Sequence, residues 1–428
     1  MLNLNRLKKG MDILKECSLP RFESIDTIPF DQAIRILREH PPHRQVEGCS
    51  PASALGKVLA IAVESECDLP LFNNSAVDGF AICEEDRLAL AKRSLDLALG
   101  GTIYAGFRGE LPMLRPGMTI HVLTGAPVPH GTAAIVMQED AKAKDGLIEV
   151  SGALSPRRNI RFRGEECLAG AWLFDAGTCI TPAVIGALSA VGCSEVQVYK
   201  MPKIGLLITG SELVAPGEDR EPFQIFDANG PGLIAALHGF GVEEVRHVQV
   251  SDEQGRLADA ISNLSAECDV LITVGGISVG DRDLLRPALA DEGFETLIQG
   301  VAMRPGKPFY FGCRGQKVAF GLPGNPLSAM VAFLVLVQPY LRRAFGIKTE
   351  CQNWATLRMP VASKLGIRHF VPGFLDDGRF DPSNRRSSSM LSGLGQANAL
   401  AVLPEETEEA TIGEEVEVIP ITWQARPL

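Results

Sequence analysis

The stretch Asp269-Val270-Leu271-Ile272-Thr273-Val274-Gly275-Gly276-Ile277-Ser278-Val279-Gly280-Asp281-Arg282-Asp283 decides the fold. Val270 to Val274 is apolar and β-branched, the length and texture of a strand buried on both faces. The run then breaks into Gly275, Gly276 and Gly280, with Ser278, Asp281 and Asp283 among them. A buried strand that ends in glycines presents backbone N–H groups at the carboxyl end of a sheet, where open α/β sheets bind ligands. The glycines permit positive φ and close ligand approach. The plainer alternative is a tight strand-to-helix turn with an aspartate N-cap.

Working outward, strands and helices alternate from Pro202 onward. Strands are expected at Ile204–Thr209, Val245–Val250, Val270–Val274 and Thr296–Val301, and helices at Gly232–His238, Glu253–Ser265 and Leu284–Asp291. This is the pattern of a doubly wound, mainly parallel α/β domain. Two more strand-like runs, Phe309–Gly312 and Val318–Phe320, lead through a Pro/Gly turn into an apolar helix from Leu327 to about Phe345. Pro339 inside that helix is expected to kink it or to start a new segment.

In such a sheet the loops after successive strands gather on one edge. Here they carry Thr209 to Leu213 with Glu212, Asp227 to Gly230, Ser251 to Glu253 with Asp252, Arg304 to Pro308 with Lys307, and Leu322 to Pro326 with Pro323. Each loop alone could be only a cap or a solvated turn. Together they suit a ligand with a fused ring and phosphates. N–H groups and cations meet phosphate; carboxylates meet ring N–H donors or a divalent metal. No GxGxxG follows the first strand and no GxxxxGK[ST] occurs, so neither a dinucleotide fingerprint nor a Walker A loop is present. No Ser/His/Asp or Cys/His nucleophile arrangement can be assembled.

The rest of the chain has other textures. Residues 1–20 read as a weakly specified tail, and Asp31 to His40 has helical spacing with Ala33, Ile34 and Leu37 on one face. From Asp68 to Arg163 short strands and glycine turns indicate a β-rich domain, with strands at Thr119–Leu123, Ala133–Gln138 and Leu147–Val150 and a loop from Thr124 to Pro129. Arg157, Arg158, Arg161 and Arg163 form a basic patch, readable as a solvated loop or as an anion-facing surface. Thr181 to Val191 reads as a helix with Pro182 in its first turn. Residues from about Thr349 read as a separate small β domain with Val416–Ile419 as an edge strand.

At 428 residues the chain is too long for one ordinary core. A net charge of −11 argues against nucleic-acid or membrane-surface binding, although local cations can still face an anionic substrate. Ten cysteines are scattered without zinc spacing, which suits a reduced, cytoplasmic setting. No signal peptide is expected at the N-terminus, and the apolar run Ala329–Val337 is too short to span a bilayer.

Seven stretches, in order, resemble the molybdopterin molybdenumtransferase family (bacterial MoeA and the gephyrin E domain). They are Ser75 to Ala81; Thr124 to Pro129; Asn159-Ile160-Arg161 with Gly164-Glu165-Glu166; Thr209 to Leu213 with Pro216-Gly217; Gly275 to Asp283; Pro305 to Pro308; and Leu322 to Pro326. The resemblance covers roughly residues 25–425 and implies a multidomain α/β plus β protein. Its parts would be an elongated N-terminal domain in two segments (21–67 and 164–201), a β-rich inserted domain (68–163), an α/β molybdopterin-binding domain (202–347) and a C-terminal β domain (348–428).

The implied activity is insertion of molybdenum from molybdate into adenylylated molybdopterin, with release of AMP and a requirement for Mg²⁺. The implied assembly is a homodimer with its active site between subunits. A MogA-type adenylyltransferase would be a partner. By motif, Asp78, Thr124, Glu166, Glu212, Asp252 and Asp283 would be catalytic, with Glu212, Asp252 and Asp283 on the metal. Gly275, Gly276, Ser278, Gly280, Arg304, Lys307, Pro323 and Pro326 would line the substrate site.

The sequence departs from the family's usual pattern at Asn73, Val77, Ala133, Glu166, Ser211, Ala228, Glu253 and Arg304. Asn73, Ala133 and Ser211 each remove a negative charge, and Glu166 moves one by a methylene. Displacements on the order of 1 Å can cost ~10²-fold in rate. The departures leave a second reading open: a non-catalytic paralogue that binds or delivers molybdopterin or the finished cofactor.

Overall fold

A computed structural model describes residues 26–277, 284–344 and 353–423. The chain divides into two compact units, one of residues 47–198 and the other of the chain before and after it. Ser278, Gly280, Asp281 and Asp283 lie outside the described residues, as does the 1–20 tail.

The larger unit is built on a six-stranded sheet. Its strands are β1 (Ile204–Thr209), β2 (Val245–Val250), β3 (Val270–Val274), β4 (Glu295–Ile298), β5 (Tyr310–Arg314) and β6 (Lys317–Leu322). Their order is β2-β1-β3-β6-β5-β4. The pairs β1–β2, β1–β3 and β3–β6 are parallel, whereas β5 pairs antiparallel with both β6 and β4. Every residue of β1 and β3 is buried, which is why both read as unbroken apolar runs. At the sheet edge, β2 is only partly buried.

Helices cover the sheet: α1 (Asn229–Gly239), α2 (Gln254–Glu267), α3 (Leu285–Asp291) and α4 (Pro326–Ala344). Leu257, Ile261 and Leu264 of α2 and Leu285 and Leu289 of α3 pack with Leu207 and Leu271 into one core cluster. Helix α4 is long and apolar enough to cross a membrane, but it is mostly buried within its unit, as a core helix is. As expected, a new α segment, Gln338–Ala344, starts with Pro339 in its first turn, within a helix that runs on without a gap. Residues Phe333–Val337 form a π turn just before the proline. Pro339 has no N–H to donate and its ring crowds the preceding turn, and the wider turn relieves that conflict.

The expected fourth strand is shorter than its apolar run. It stops at Ile298, and the N–H of Val301 donates instead to Lys307 O at 3.1 Å.

The same unit contains a barrel of five strands: β7 (Asn353–Leu357), β8 (Arg368–Asp376), β9 (Arg379–Pro382), β10 (Ala399–Leu403) and β11 (Glu415–Pro420). The order β8-β9-β7-β11-β10 closes through a further β8–β10 pairing. The run Val416–Ile419, expected at an edge, therefore lies inside β11 with a partner on each side, β7 and β10. The barrel core holds Leu357, Val371, Phe380, Ala401 and Val418. The short strand Met303–Arg304 extends this sheet by pairing with Arg368 and His369. The helix Phe30–Glu39 belongs to the same unit and buries Phe30, Ala33 and Leu37.

In the unit of residues 47–198, a six-stranded sheet runs in the order Thr132–Met137, Gly79–Cys83, Met118–Val122, Leu95–Ile103, Leu147–Val150 and Ala141–Lys144. It packs two apolar clusters, one around Ile120, Val122 and Ile135 and one around Ile82, Leu97 and Ile148. A third cluster surrounds the helix Pro182–Ala190. That helix starts as expected: the Thr181 hydroxyl accepts the N–H of Val184 at 3.1 Å, and Pro182 occupies the first turn.

Candidate functional site

The larger unit's site follows from its topology. After β1 the chain crosses to β2 on one side and then returns to β3 on the other. The strand order reverses between β1 and β3, and a crevice opens beyond their carboxyl ends. A cavity of about 650 Å³ lies there. Thr209 and Gly210 from the end of β1, Glu212, Asp252, Gly275 and Gly276 all line it. Pro308, Pro323, Asn325, Pro326 and Ser389 contribute as well.

Gly275 is required by geometry. It has φ +92°, and a Cβ there would sit 2.6 Å from Thr209 O. A side chain would wedge β1 and β3 apart where they flank the cavity.

Asp252 is held from the neighbouring strand end. The Thr209 hydroxyl donates to its Oδ1 at 2.6 Å and the Ser211 N–H to its Oδ2 at 3.3 Å. In return, the Asp252 N–H donates to Ser211 Oγ at 3.1 Å. Ser211, one of the departures, is thus tied to Asp252 by two reciprocal bonds. The exposed Glu212 accepts the N–H of Ile225 on its backbone oxygen at 2.9 Å. That bond anchors a small parallel ribbon, Leu213–Val214 with Ile225–Phe226, of which Leu213, Ile225 and Phe226 line the cavity. Two of the candidate ligands for a divalent ion, Glu212 and Asp252, therefore share one cavity; the third, Asp283, lies outside the described residues.

Arg304 and Lys307 are exposed and do not line the cavity, although Pro308 of the same loop does. Arg304 instead sits on the strand paired with His369 of β8. His369 is buried, and its Nδ1 has no partner among the described residues. Burial, and then the positive charges of Arg304 and Arg386, push its pKa down to about 4. The imidazole is consequently neutral at pH 7 between two cations. Nothing in the sequence marks His369: it is a lone histidine in a strand, and its neighbours come from 65 residues before and 17 residues after it.

Asp78 and Thr124 meet in the other unit. Asp78 directly precedes the strand Gly79–Cys83 and Thr124 follows Met118–Val122 by two residues; the two strands pair antiparallel with Gly79 opposite Val122. The Thr124 N–H and hydroxyl both donate to Asp78 Oδ1, at 2.7 and 2.8 Å. The backbone bond, then the hydroxyl bond, hold the Asp78 carboxyl below the usual carboxylate range. Two further bonds, Gly125 N–H to Ser75 O and Ser75 N–H to Ala126 O, lock the turn to the loop.

Glu166 is exposed, and its N–H donates to Leu69 O at 3.0 Å. Among the described residues it shares no hydrogen bond with Asp78 or Thr124. Within the basic patch, Arg163 pairs with Asp68 at 2.5 Å, Arg158 with Asp140 at 3.5 Å, and Arg157 lies over the Phe162 ring. Asn73, another departure, accepts the N–H of Arg163 at 2.8 Å.

Comparison with known proteins agrees along the chain. Three family models match in order: the MoeA N-terminal region (domain I and II) over residues 28–192, a probable molybdopterin binding domain over 205–343, and the MoeA C-terminal region (domain IV) over 355–421. A molybdopterin molybdenumtransferase of Nostoc sp. is 33% identical over 386 residues, covering 86% of this chain and 87% of that one. One from Haemophilus influenzae is 31% identical over 409 residues, covering 92% and 98%. Among solved structures, the molybdopterin biosynthesis MoeA protein of Pyrococcus horikoshii matches with a TM-score of 0.80 at 28% identity, over 92% of this chain and 100% of that one. The chain belongs to the molybdopterin molybdenumtransferase (MoeA) family of enzymes.

Proposed function

We propose that this chain, an enzyme of molybdenum cofactor biosynthesis by its family, inserts molybdenum from molybdate into adenylylated molybdopterin and releases AMP in a Mg²⁺-dependent reaction. The observation that carries the reading is the cavity at the β1/β3 switch point, where glycine backbone, the Thr209–Asp252 pair and Glu212 converge.

Cleaving a phosphoanhydride requires neutralised phosphate charge and a placed water. The donor set fits Mg²⁺. Asp252 and Glu212 offer hard carboxylate oxygens at one cavity, and this ion takes few protein ligands besides waters and substrate phosphates. Asp252, Glu212 and Asp283 would hold it. Bound there, it would supply charge neutralisation at the phosphates. The Thr209 hydroxyl and the Ser211 N–H keep Asp252 in one orientation.

Gly276, Ser278 and Gly280 would face phosphate with their backbone, and Lys307 would add a cation. Pro323 and Pro326 shape the cavity wall. Arg304 and Arg386, whose charges both reach His369, suit the molybdate oxyanion. Asp78, kept ionised by Thr124, suits the orientation of the attacking water through a hydrogen bond to its open oxygen, with Glu166 as a further carboxylate on the same unit. The reading also takes from the family resemblance a cytoplasmic homodimer with its active site completed between subunits, supplied with substrate by a MogA-type adenylyltransferase.

The test is incubation of the pure protein with adenylylated molybdopterin, molybdate and Mg²⁺. AMP should appear over repeated turnovers. Tight, stoichiometric pterin binding with no AMP above background would replace the reading by a non-catalytic carrier.

A further inference from the structure

The cavity has a part that neither metal nor phosphate explains. Ile225 and Phe226 of the ribbon line it, yet 54% and 49% of their surfaces are exposed. Three residues beyond Phe226, Asn229 also lines it and is 7% exposed. The Asn229 side-chain amide is oriented by its own bond: Nδ2 donates to Gly324 O at 2.8 Å. Its Oδ1 is buried and has no partner among the described residues. The backbone beneath is fixed too, because Asp227 Oδ1 accepts the N–H groups of Asn229 and Gly230 at 2.9 and 3.0 Å. An unpaired buried acceptor is destabilising unless something donates to it. A half-exposed aromatic lining the same cavity is equally unfinished.

We propose that Phe226 and Asn229 read the planar ring of the substrate, Phe226 packing on its face and Asn229 Oδ1 accepting a hydrogen bond from its exocyclic amino group. This rests on the pterin reading above and adds to it the residues that select the ring. The chemistry is a division of labour within one cavity. Carboxylates and glycines take the charged end of the ligand, while an apolar wall and one neutral acceptor take the heterocycle. Asn229 fits an amino donor better than a carboxylate would, since it accepts without adding charge and its amide nitrogen still secures the Gly324 turn.

The test uses the full-length protein and two small fluorescent probes, pterin and pteridin-4-one, which lacks the 2-amino group. Wild-type protein should bind pterin about tenfold more tightly than pteridin-4-one, the scale of one net hydrogen bond. Asn229→Ala should abolish that preference. Any loosening of the Gly324 turn affects both probes alike, so the ratio reports recognition and not structure. Phe226→Ala should weaken both probes by about fivefold to tenfold, and Phe226→Trp should restore them.

Retention of the preference by Asn229→Ala, or unchanged affinities in Phe226→Ala, overturns the proposal. So does wild-type protein that releases AMP from the full substrate but shows no preference between the probes, and in that case the activity itself stands. Selective pterin binding without AMP release leaves the ring assignment intact and overturns only the activity.

Discussion

Two aspartates in this molecule are each held by a threonine, and they are held differently. Asp252, at the edge of the parallel sheet, accepts on both oxygens: Thr209 Oγ1 on one and the Ser211 N–H on the other. Asp78, in the β-rich unit, accepts both of its bonds from Thr124 on the single oxygen Oδ1. Among the described residues nothing donates to its Oδ2. The first arrangement fixes the whole carboxylate plane beside a cavity, as an inner-sphere ligand needs. The second lowers the carboxyl's pKa while leaving one oxygen open, which makes it a weak base but a permanently charged acceptor able to orient a water. The distribution of bonds over the two oxygens therefore separates the two aspartates, and the proposed function gives them different roles.

The largest expected effect comes from removing each carboxylate in turn. Asp252→Ala and Asp78→Ala should each lower AMP release by about 10²- to 10³-fold, the scale for losing one electrostatic contributor to such a transition state. The comparison sharpens when the two inactive variants are unfolded, mixed in equal amounts and refolded. If one subunit supplies Asp252 and its partner Asp78, the mixed dimer keeps one intact site, and about a quarter of wild-type activity should return. No recovery from mixed dimers shown to have formed would break the assignment of the two carboxylates to different subunits. Mn²⁺ binding, followed by its spin resonance, should be lost in Asp252→Ala and kept in Asp78→Ala; equal loss in both would dissolve the distinction between them.

A smaller effect is expected at the threonines. Thr124→Val removes the hydroxyl bond to Asp78 and leaves the stronger backbone bond in place. The folded carboxyl lies below its unfolded value, so its contribution to stability and to the ionised, active form is present above the unfolded pKa and is lost as pH falls through the folded one. With one bond gone, the folded pKa rises. The acid limb of the rate profile should therefore move to higher pH, with less than about tenfold loss at neutral pH. An acid limb that stays in place would mean that Asp78 is not the group whose ionisation is seen.

These two clusters also differ in how well the sequence announces them. β1, β2 and β3 occupy the residues expected of them: β1 and β3 because a strand covered on both faces leaves a continuous apolar signature, and the partly buried edge strand β2 through Val245, Val248 and Val250 among polar residues. β11 was legible as a strand but not as an interior one. Its alternating burial reports which face is wet, and says nothing of whether both of its edges are paired. The loops that carry Glu212, Asp252 and Gly275 converge because topology brings strand ends together, and that much follows from the alternation of strands and helices. Asn229 was legible only as part of the Asp227 to Gly230 loop at the sheet edge, not as a ligand-facing side chain, and His369 was not legible as a member of a site at all. What singles them out is an unpaired buried atom in each, and pairing depends on partners distant in sequence, Gly324 for Asn229 and Arg304 for His369.

The smallest expected effect concerns backbone strain at the rim of the sheet-edge cluster. Phe223, on the loop that closes the Leu213–Val214 and Ile225–Phe226 ribbon, has φ +72° and is 96% exposed. Asn159, beside the Asp78 cluster, also has a positive φ of 60°, but asparagine tolerates that region and its side chain donates to Ile135 O at 3.0 Å. Phe223 has neither excuse: a bulky side chain in the left-handed region costs roughly 1–2 kcal/mol. Glycine there would relieve the strain and return about 0.5–1 kcal/mol of it as extra unfolded-state entropy. Phe223→Gly should therefore stabilise the protein by about 0.5–1 kcal/mol in denaturant unfolding, with pterin affinity unchanged. If it costs affinity instead, the strained aromatic touches the ligand, and the ring-reading wall extends from Phe226 out to the tip of the ribbon.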